Sequence, residues 1–298
     1  MDEVLNFIAD KTGARLDRFV SEKQPQLSRT FAKKLINEGF ITVNDQVVKA
    51  SHKLNAGDRL TITLPPPEPS HLTAEAIPLN IIYEDKDLLV IDKPTGLTVH
   101  PAPGNPNHTL VNAVLAHTPD LPSGGDFLRP GIVHRLDKGT SGLILVAKNM
   151  VALNKLANQF KARSVAKAYL VLVRGHLSPE NGFIEAPIGR DPRNRKRMAV
   201  VDKGRDARTG YHVIKYVGDC SLLEVKLETG RTHQIRVHLA AIGYPVVGDA
   251  TYGVKSAFLS RQFVHACRLG FKLPSSDKYM EFTSELPPDL EQALKNIA

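Results

Sequence analysis

Between residues 29 and 36 the apolar side chains Phe31, Ala32, Leu35 and Ile36 recur at three- and four-residue intervals, which puts them on one face of a helix. Ser28 stands where an N-cap belongs, and Gly39 stands where a helix commonly stops. The pattern therefore predicts a helix, with Arg29, Lys33 and Lys34 near its start on the solvated side. The period then changes. Residues 41–48 read as two short strands around a turn at Asn44-Asp45, and residues 60–64 alternate as a further strand.

Prolines at 65, 66, 67 and 69 interrupt both periodicities, because proline neither continues a helix nor donates to a ladder. They predict a semi-rigid linker over 65–76, dividing a small module, 1–64, from a large one, 77–298. In the large module, apolar runs at 88–91, 143–146, 168–173 and 222–227 read as buried strands. Residues 131–137 read as another strand, ending in the polar loop 138–142. Asn149 is placed to cap a helix whose stripe is Leu153, Leu156, Ala157 and Phe160. Hairpins mixed with helices predict an α+β domain rather than a doubly wound parallel sheet.

Composition narrows the class. No apolar run approaches the roughly 18–20 residues of a membrane-spanning helix. The N-terminus is acidic and reads as no secretory signal, and two isolated cysteines, Cys220 and Cys267, fit a reducing cytoplasm. Charge is uneven. Residues 131–298 carry 26 basic and 15 acidic side chains, a net +11, whereas residues 65–130 carry 3 and 8, a net −5. A surplus so concentrated suggests a polyanionic partner, most often nucleic acid; the alternative on charge alone is a soluble basic enzyme.

The sequence holds no Gly-rich phosphate loop, no HExxH and no Cys/His cluster, so no metal is expected. His134, His233 and His238 read as structural or RNA-facing. Two polar segments stand out. In 134–142, Asp137 lies at the end of the expected strand among small residues that would expose its carboxylate; the alternative is an Asx turn. In 228–238, Arg231, His233 and Gln234 could reach a phosphate or a base. Arg236 alternates with Ile235 and Val237, and an arginine among apolar neighbours requires a carboxylate, for which Asp137 is the candidate.

The string HRLDKGTSGLILVAK (134–148) resembles the active-site motif of the RluA/RluD family of pseudouridine synthases. GRTHQIRVHLAAIGYPVVGDATYG (230–253) is similar to the family's second signature, and residues 261–266 to a third, with Val264 where leucine is more usual. Residues 185–198 look like the RluD branch. The small module resembles the alpha-L RNA-binding domain of a small-subunit ribosomal protein, through residues 14–17, Ser28-Arg29, 33–36 and 39–44.

The resemblance implies a mixed, mainly antiparallel catalytic sheet behind a small α/β RNA-binding module. It also implies isomerisation of uridine in structured RNA, with large-subunit rRNA or its assembly intermediate as partner. Asp137 would be the catalytic aspartate, Arg236 its salt-bridge partner, Tyr169 the side chain stacked on the target base, and Arg135 the plug for the space a flipped nucleotide leaves. Arg231, His233, Arg29, Lys33 and Lys34 would bind substrate. No cofactor or metal is implied; a cytoplasmic monomer is expected. The alternatives are a synthase acting on tRNA and a non-catalytic RNA-binding assembly factor.

Overall fold

The computed structural model describes residues 3–24, 27, 29–65, 72–102, 104–122, 129–253 and 255–297. The Ser28 cap and residues 66–71 of the proline linker fall outside these residues.

In the small module, β1 (Glu3–Ile8), α1 (Leu16–Lys23), α2 (Arg29–Asn37), β2 (Ile41–Val43) and β3 (Arg59–Leu64) follow in order. The three strands form one antiparallel sheet in the order β1-β3-β2. Ala32, Leu35 and Ile36 of α2 are buried in a core with Leu16, Val20, Ile41, Leu54 and Ile62, while Phe31 is half-buried against it. Gly39, at φ +83°, ends the helix as expected.

The hairpin over 41–48 is only half formed. Asn44 and Asp45 turn the chain at positive φ, and Val43 and Gln46 exchange both backbone bonds, but no second strand follows. Instead the Asn44 side chain accepts from the Arg59 N–H at 2.9 Å and donates to Asp58, handing β2 to β3 as its partner. The strand β1 escaped the sequence reading because Val4 and Ile8 are apolar yet exposed, which hides the alternation.

The large module opens with β4 (Asn80–Glu84), β5 (Leu88–Lys93), α3 (Leu110–His117), β6 (Ser141–Ala147) and α4 (Met150–Lys161). There follow β7 (Ala166–Arg174), β8 (Asn181–Glu185), β9 (Ile188–Arg190), β10 (Met198–Val200), β11 (Arg208–Val217) and β12 (Cys220–Leu227). The chain ends with α5 (Gln234–Ala241), β13 (Val264–Lys272), β14 (Tyr279–Thr283) and α6 (Pro288–Ile297). Nine strands make one sheet, β4-β5-β6-β13-β7-β12-β11-β8, with β14 beside β13; β9 and β10 pair separately. Among the described residues only β6 and β13 pair as parallel strands, so the sheet is mixed and mainly antiparallel, as an α+β domain requires. Buried side chains from β5, β6, β7, β12 and β13 form its principal core with α3 and α5.

Three local expectations fail for physical reasons. Residues 131–137 are not a strand: only Ile132 bridges Val146. Gly131 turns at φ +71°, and the His134 ring takes the Leu145 N–H at 3.0 Å, replacing a ladder bond. Arg236 does not alternate along a strand but sits on α5, where residues 234–239 are all buried. In α4, capped by Asn149 as expected, Ala152 joins Leu153 and Leu156 in the core, while Ala157 faces solvent.

Candidate active site

The site is assembled where the loop after residue 134 meets the start of α5. Asp137 closes a turn by accepting the Thr140 N–H through its backbone carbonyl. Two residues on, Gly142 at φ +107° lets β6 press against β13; a Cβ there would collide with the Ala266 backbone. The Asp137 loop is thereby fixed to the sheet. A second tie comes from Gly96, whose N–H donates to the Lys138 carbonyl at 2.8 Å. The turn carrying Gly96 is held from below by the buried Lys93, whose amine donates to the carbonyls of Pro94 and Leu97.

Arg236 is 7% exposed and donates from Nη1 to Asp137 Oδ2 at 3.0 Å. Sequence reasoning assigned it one carboxylate; the fold supplies two. Asp249, 1% exposed, takes Nε at 2.6 Å and Nη2 at 2.9 Å, and also accepts the N–H groups of Thr251 and Tyr252. Burial works against the charge of both partners, yet the hydrogen bonds and opposed charges win. They hold the Asp249 carboxyl below its ordinary value and raise Arg236 above its own. With both ends spoken for, the guanidinium presents a fixed counter-charge to Asp137. Tyr252 packs its ring against this guanidinium at 5.1 Å and against that of Arg197 at 5.0 Å.

Tyr169, buried on β7, lies in the same cleft. Burial, aided by the Asp137 charge, pushes its phenol well above the usual value, so it is protonated at neutral pH. His233 caps α5 in a left-handed conformation, φ +57°. Its Nδ1 meets the Tyr252 hydroxyl at 2.8 Å and its Nε2 lies 3.9 Å from Asp137. Burial depresses its pKa despite the neighbouring carboxylate, which favours the neutral ring. Arg135 is exposed on the rim, and Arg231 donates to the Asp206 carbonyl.

Asp137, Tyr169, Arg236, Arg135, Arg231 and His233 all line one cleft of about 520 Å³. Gln234 does not reach a ligand: all its polar capacity holds the turn before α5, through Arg231, Thr229, Arg208 and Thr209. His134 and His238 are structural. His134 stacks on Phe160, and burial takes its pKa down to about 3. His238 bridges Thr209 and Ala186. Arg29, Lys33 and Lys34 belong to the small module. Nε and Nη2 of Arg29 are spent on the buried Asp17, which Arg15 clasps as well; Lys33 is exposed.

Sequence reasoning missed Asp249 and Tyr252, and it missed the cleft's other cations, Lys161, Arg163 and Lys167. For Asp249 the only signal was an arginine among apolar residues. That signal calls for a carboxylate without saying which one.

A floor carboxylate held by a buried arginine beside a protonated tyrosine, in a basic cleft, suits chemistry on a nucleotide taken out of its stack. Comparisons agree. Residues 87–241 match the family model for RNA pseudouridylate synthase, and residues 14–60 match the S4 domain. An RNA pseudouridine synthase of Chloroflexus aurantiacus is 52% identical over 96% of this chain and 91% of its own. The ribosomal large subunit pseudouridine synthase D of Zymomonas mobilis is 42% identical over 99% of this chain and 97% of its own. Among solved structures, human RNA pseudouridylate synthase domain containing 1 superposes with a TM-score of 0.59 at 32% identity, covering 73% of this chain and 88% of that one. The chain belongs to the RNA pseudouridylate synthase family. It is an isomerase that converts uridine in RNA to pseudouridine.

Proposed function

We propose that this enzyme isomerises specific uridines in large-subunit rRNA, free or within an assembly intermediate. The names of its relatives and the concentrated positive charge support that target. One observation carries the site reading: Asp137, fixed by Arg236 at 3.0 Å, lies with Tyr169 in a cleft lined by cations.

The reaction breaks the N1–C1′ bond of uridine, turns the uracil, and joins C5 to C1′. The C5 proton leaves and N1 takes one up, so nothing is consumed. The base must first leave the helix, at a cost of a few kcal/mol. Arg135, free on the rim, fills the vacated place, and Tyr169 offers its ring to the uracil. As nucleophile or as counter-charge, the Asp137 carboxylate answers the electron deficiency that develops as the glycosidic bond breaks. Arg231 and His233 hold the nucleotide at the opposite wall. The small module, 1–64, joined by residues 65–76 to the catalytic module, 77–298, holds RNA phosphates through Lys33, Lys34 and the open edge of Arg29. The enzyme works as a cytoplasmic monomer.

The test uses rRNA tritiated at uridine C5. Incubation with the purified enzyme releases tritium to water, and the pseudouridines formed map to large-subunit rRNA. Release from tRNA alone would move the target. No release from any RNA would leave only an RNA-binding role.

A further inference from the structure

Among the described residues two carboxylates line the active cleft, and both are ion-paired. Asp137 is paired with Arg236, and Glu228 with Arg208 at 3.0 Å. The cations lining it are far less satisfied. Among the described residues, Arg135, Lys161, Arg163, Lys167 and Arg231 form no ion pair. Arg135 and Arg231 belong to the reading already given. The other three converge on one wall from two elements: Lys161 ends α4, Arg163 lies in the turn behind it, and Lys167 is on β7.

This wall is built. Arg163 adopts a left-handed backbone, φ +57°, unusual for a residue other than glycine; its N–H donates to the Phe160 carbonyl and the next N–H to the Gln159 carbonyl. That turn points the chain back into β7. The amine of Lys167 sits 5.5 Å from the centre of the Phe160 ring, which is stacked in turn on His134. Burial lowers the Lys167 pKa, and the Arg163 charge lowers it further. Lys167 is half out of water beside the exposed Arg163 and Lys161, with no anion to offset them, and an anion bound there relieves both its desolvation and their mutual repulsion. Position specifies which anion. Lys167 and Tyr169 are two residues apart on one strand, so they share a face and lie about 6–7 Å apart along it. The wall is thus one nucleotide's reach from the ring that receives the uracil.

We propose that Lys161, Arg163 and Lys167 form a phosphate subsite that grips an RNA backbone phosphate flanking the flipped uridine. The inference rests on the functional reading above and adds a binding wall to it. Phosphate contacts position without reading sequence, so this wall sets the depth at which the nucleotide enters the cleft rather than the choice of target. The contact forms only once the strand is drawn into the cleft, so it contributes to productive engagement more than to capture from solution.

The experiment is a variant-by-substrate cycle. The probe is an RNA stem-loop containing a uridine that the wild type modifies, made also with a neutral methylphosphonate at its 5′ or its 3′ linkage. Lys161→Ala and Arg163→Ala alter exposed side chains and are expected to fold; Lys167→Met keeps the packed stem of the lysine. Each variant is expected to raise KM several-fold and to lower kcat much less. One of the two methylphosphonates raises the wild-type KM about five- to tenfold, the scale of a lost charge-assisted contact, while the triple variant barely responds to it. The triple variant's affinity also falls less steeply with salt, its slope reduced by about 0.7 for the phosphate released. If both methylphosphonates act equally on wild type and triple variant, the wall is not a phosphate subsite, although wild-type pseudouridine formation would leave the parent reading intact. If the wild type forms no pseudouridine in any RNA, both readings fall together.

Discussion

Replacing Asp249 by asparagine tests how the site is held, because Asp249 need not touch substrate. Its carboxylate accepts four hydrogen bonds, two from Arg236 and two from the backbone of Thr251 and Tyr252. An asparagine keeps the shape and can still accept from the backbone. It then turns an N–H₂ group toward the guanidinium, donor against donor, and removes one negative charge. Arg236, 7% exposed, is left with Asp137 alone. Breaking a buried ion pair by removing one partner costs about 3–5 kcal/mol. For a domain of this size that is a fall in Tm of about 6–20 °C. The pKa of Asp249 is lowered in the folded protein, so its stabilisation is present above the unfolded value, near 3.9, and disappears as pH falls through the folded value. The variant should therefore lose most relative to wild type at neutral pH and converge on it in acid. Differential scanning calorimetry between pH 3 and 8, with tritium release from rRNA measured at a temperature where the variant is still folded, reads both effects. Turnover should drop because the counter-charge at Asp137 is no longer fixed. A Tm within 2 °C of wild type at pH 7 together with unchanged kcat would refute the reasoning.

Asp137→Asn should abolish isomerisation and leave RNA affinity near wild type, since affinity comes mainly from phosphate contacts and an acidic charge is lost; wild-type turnover, measured alongside filter binding on the same RNA, would overturn the mechanism. Burial brings the Lys93 amine down to about 7, with the Arg261 charge adding to the fall, whereas the unfolded chain holds that proton up to about pH 10.4. The unfolded state binds more protons across that window, so wild-type stability should rise by up to about 1.4 kcal/mol per pH unit between pH 7 and 9. Urea unfolding of Lys93→Met should lack that rise, and parallel curves would count against it. A chain beginning at residue 72 keeps the core of the large module, so it should retain isomerisation at high RNA concentration with weaker, less salt-sensitive binding; complete inactivity of that folded protein would contradict the division of labour.

What the sequence determined by itself is local or compositional. The stripe Ala32, Leu35 and Ile36 predicted α2, Asn149 predicted the start of α4, and the apolar runs around β6, β7 and β12 predicted the strands of the sheet. Periodicity encodes such elements because each places its side chains relative to its own axis, whatever lies opposite. Charge segregation likewise announced a polyanionic partner, and the strings around Asp137 and Arg236 carried the family resemblance. Where two elements compete for the same groups, only tertiary structure decides. Residues 131–137 read as a strand until the His134 ring claims a ladder N–H from β6, and Arg236 reads as alternating with Ile235 and Val237 until the Gln234 side chain anchors a helical turn. The Asp137–Arg236 bond joins positions 99 residues apart, and Asp249 lies only 13 residues beyond Arg236, yet the sequence reading proposed the distant Asp137 and passed over the nearer Asp249. A buried ion pair is fixed by which carboxylate the packed chain carries into the desolvated site. That choice depends on the closure of β6 against β13 and of α5 against the loop before β6, distances that no local pattern contains.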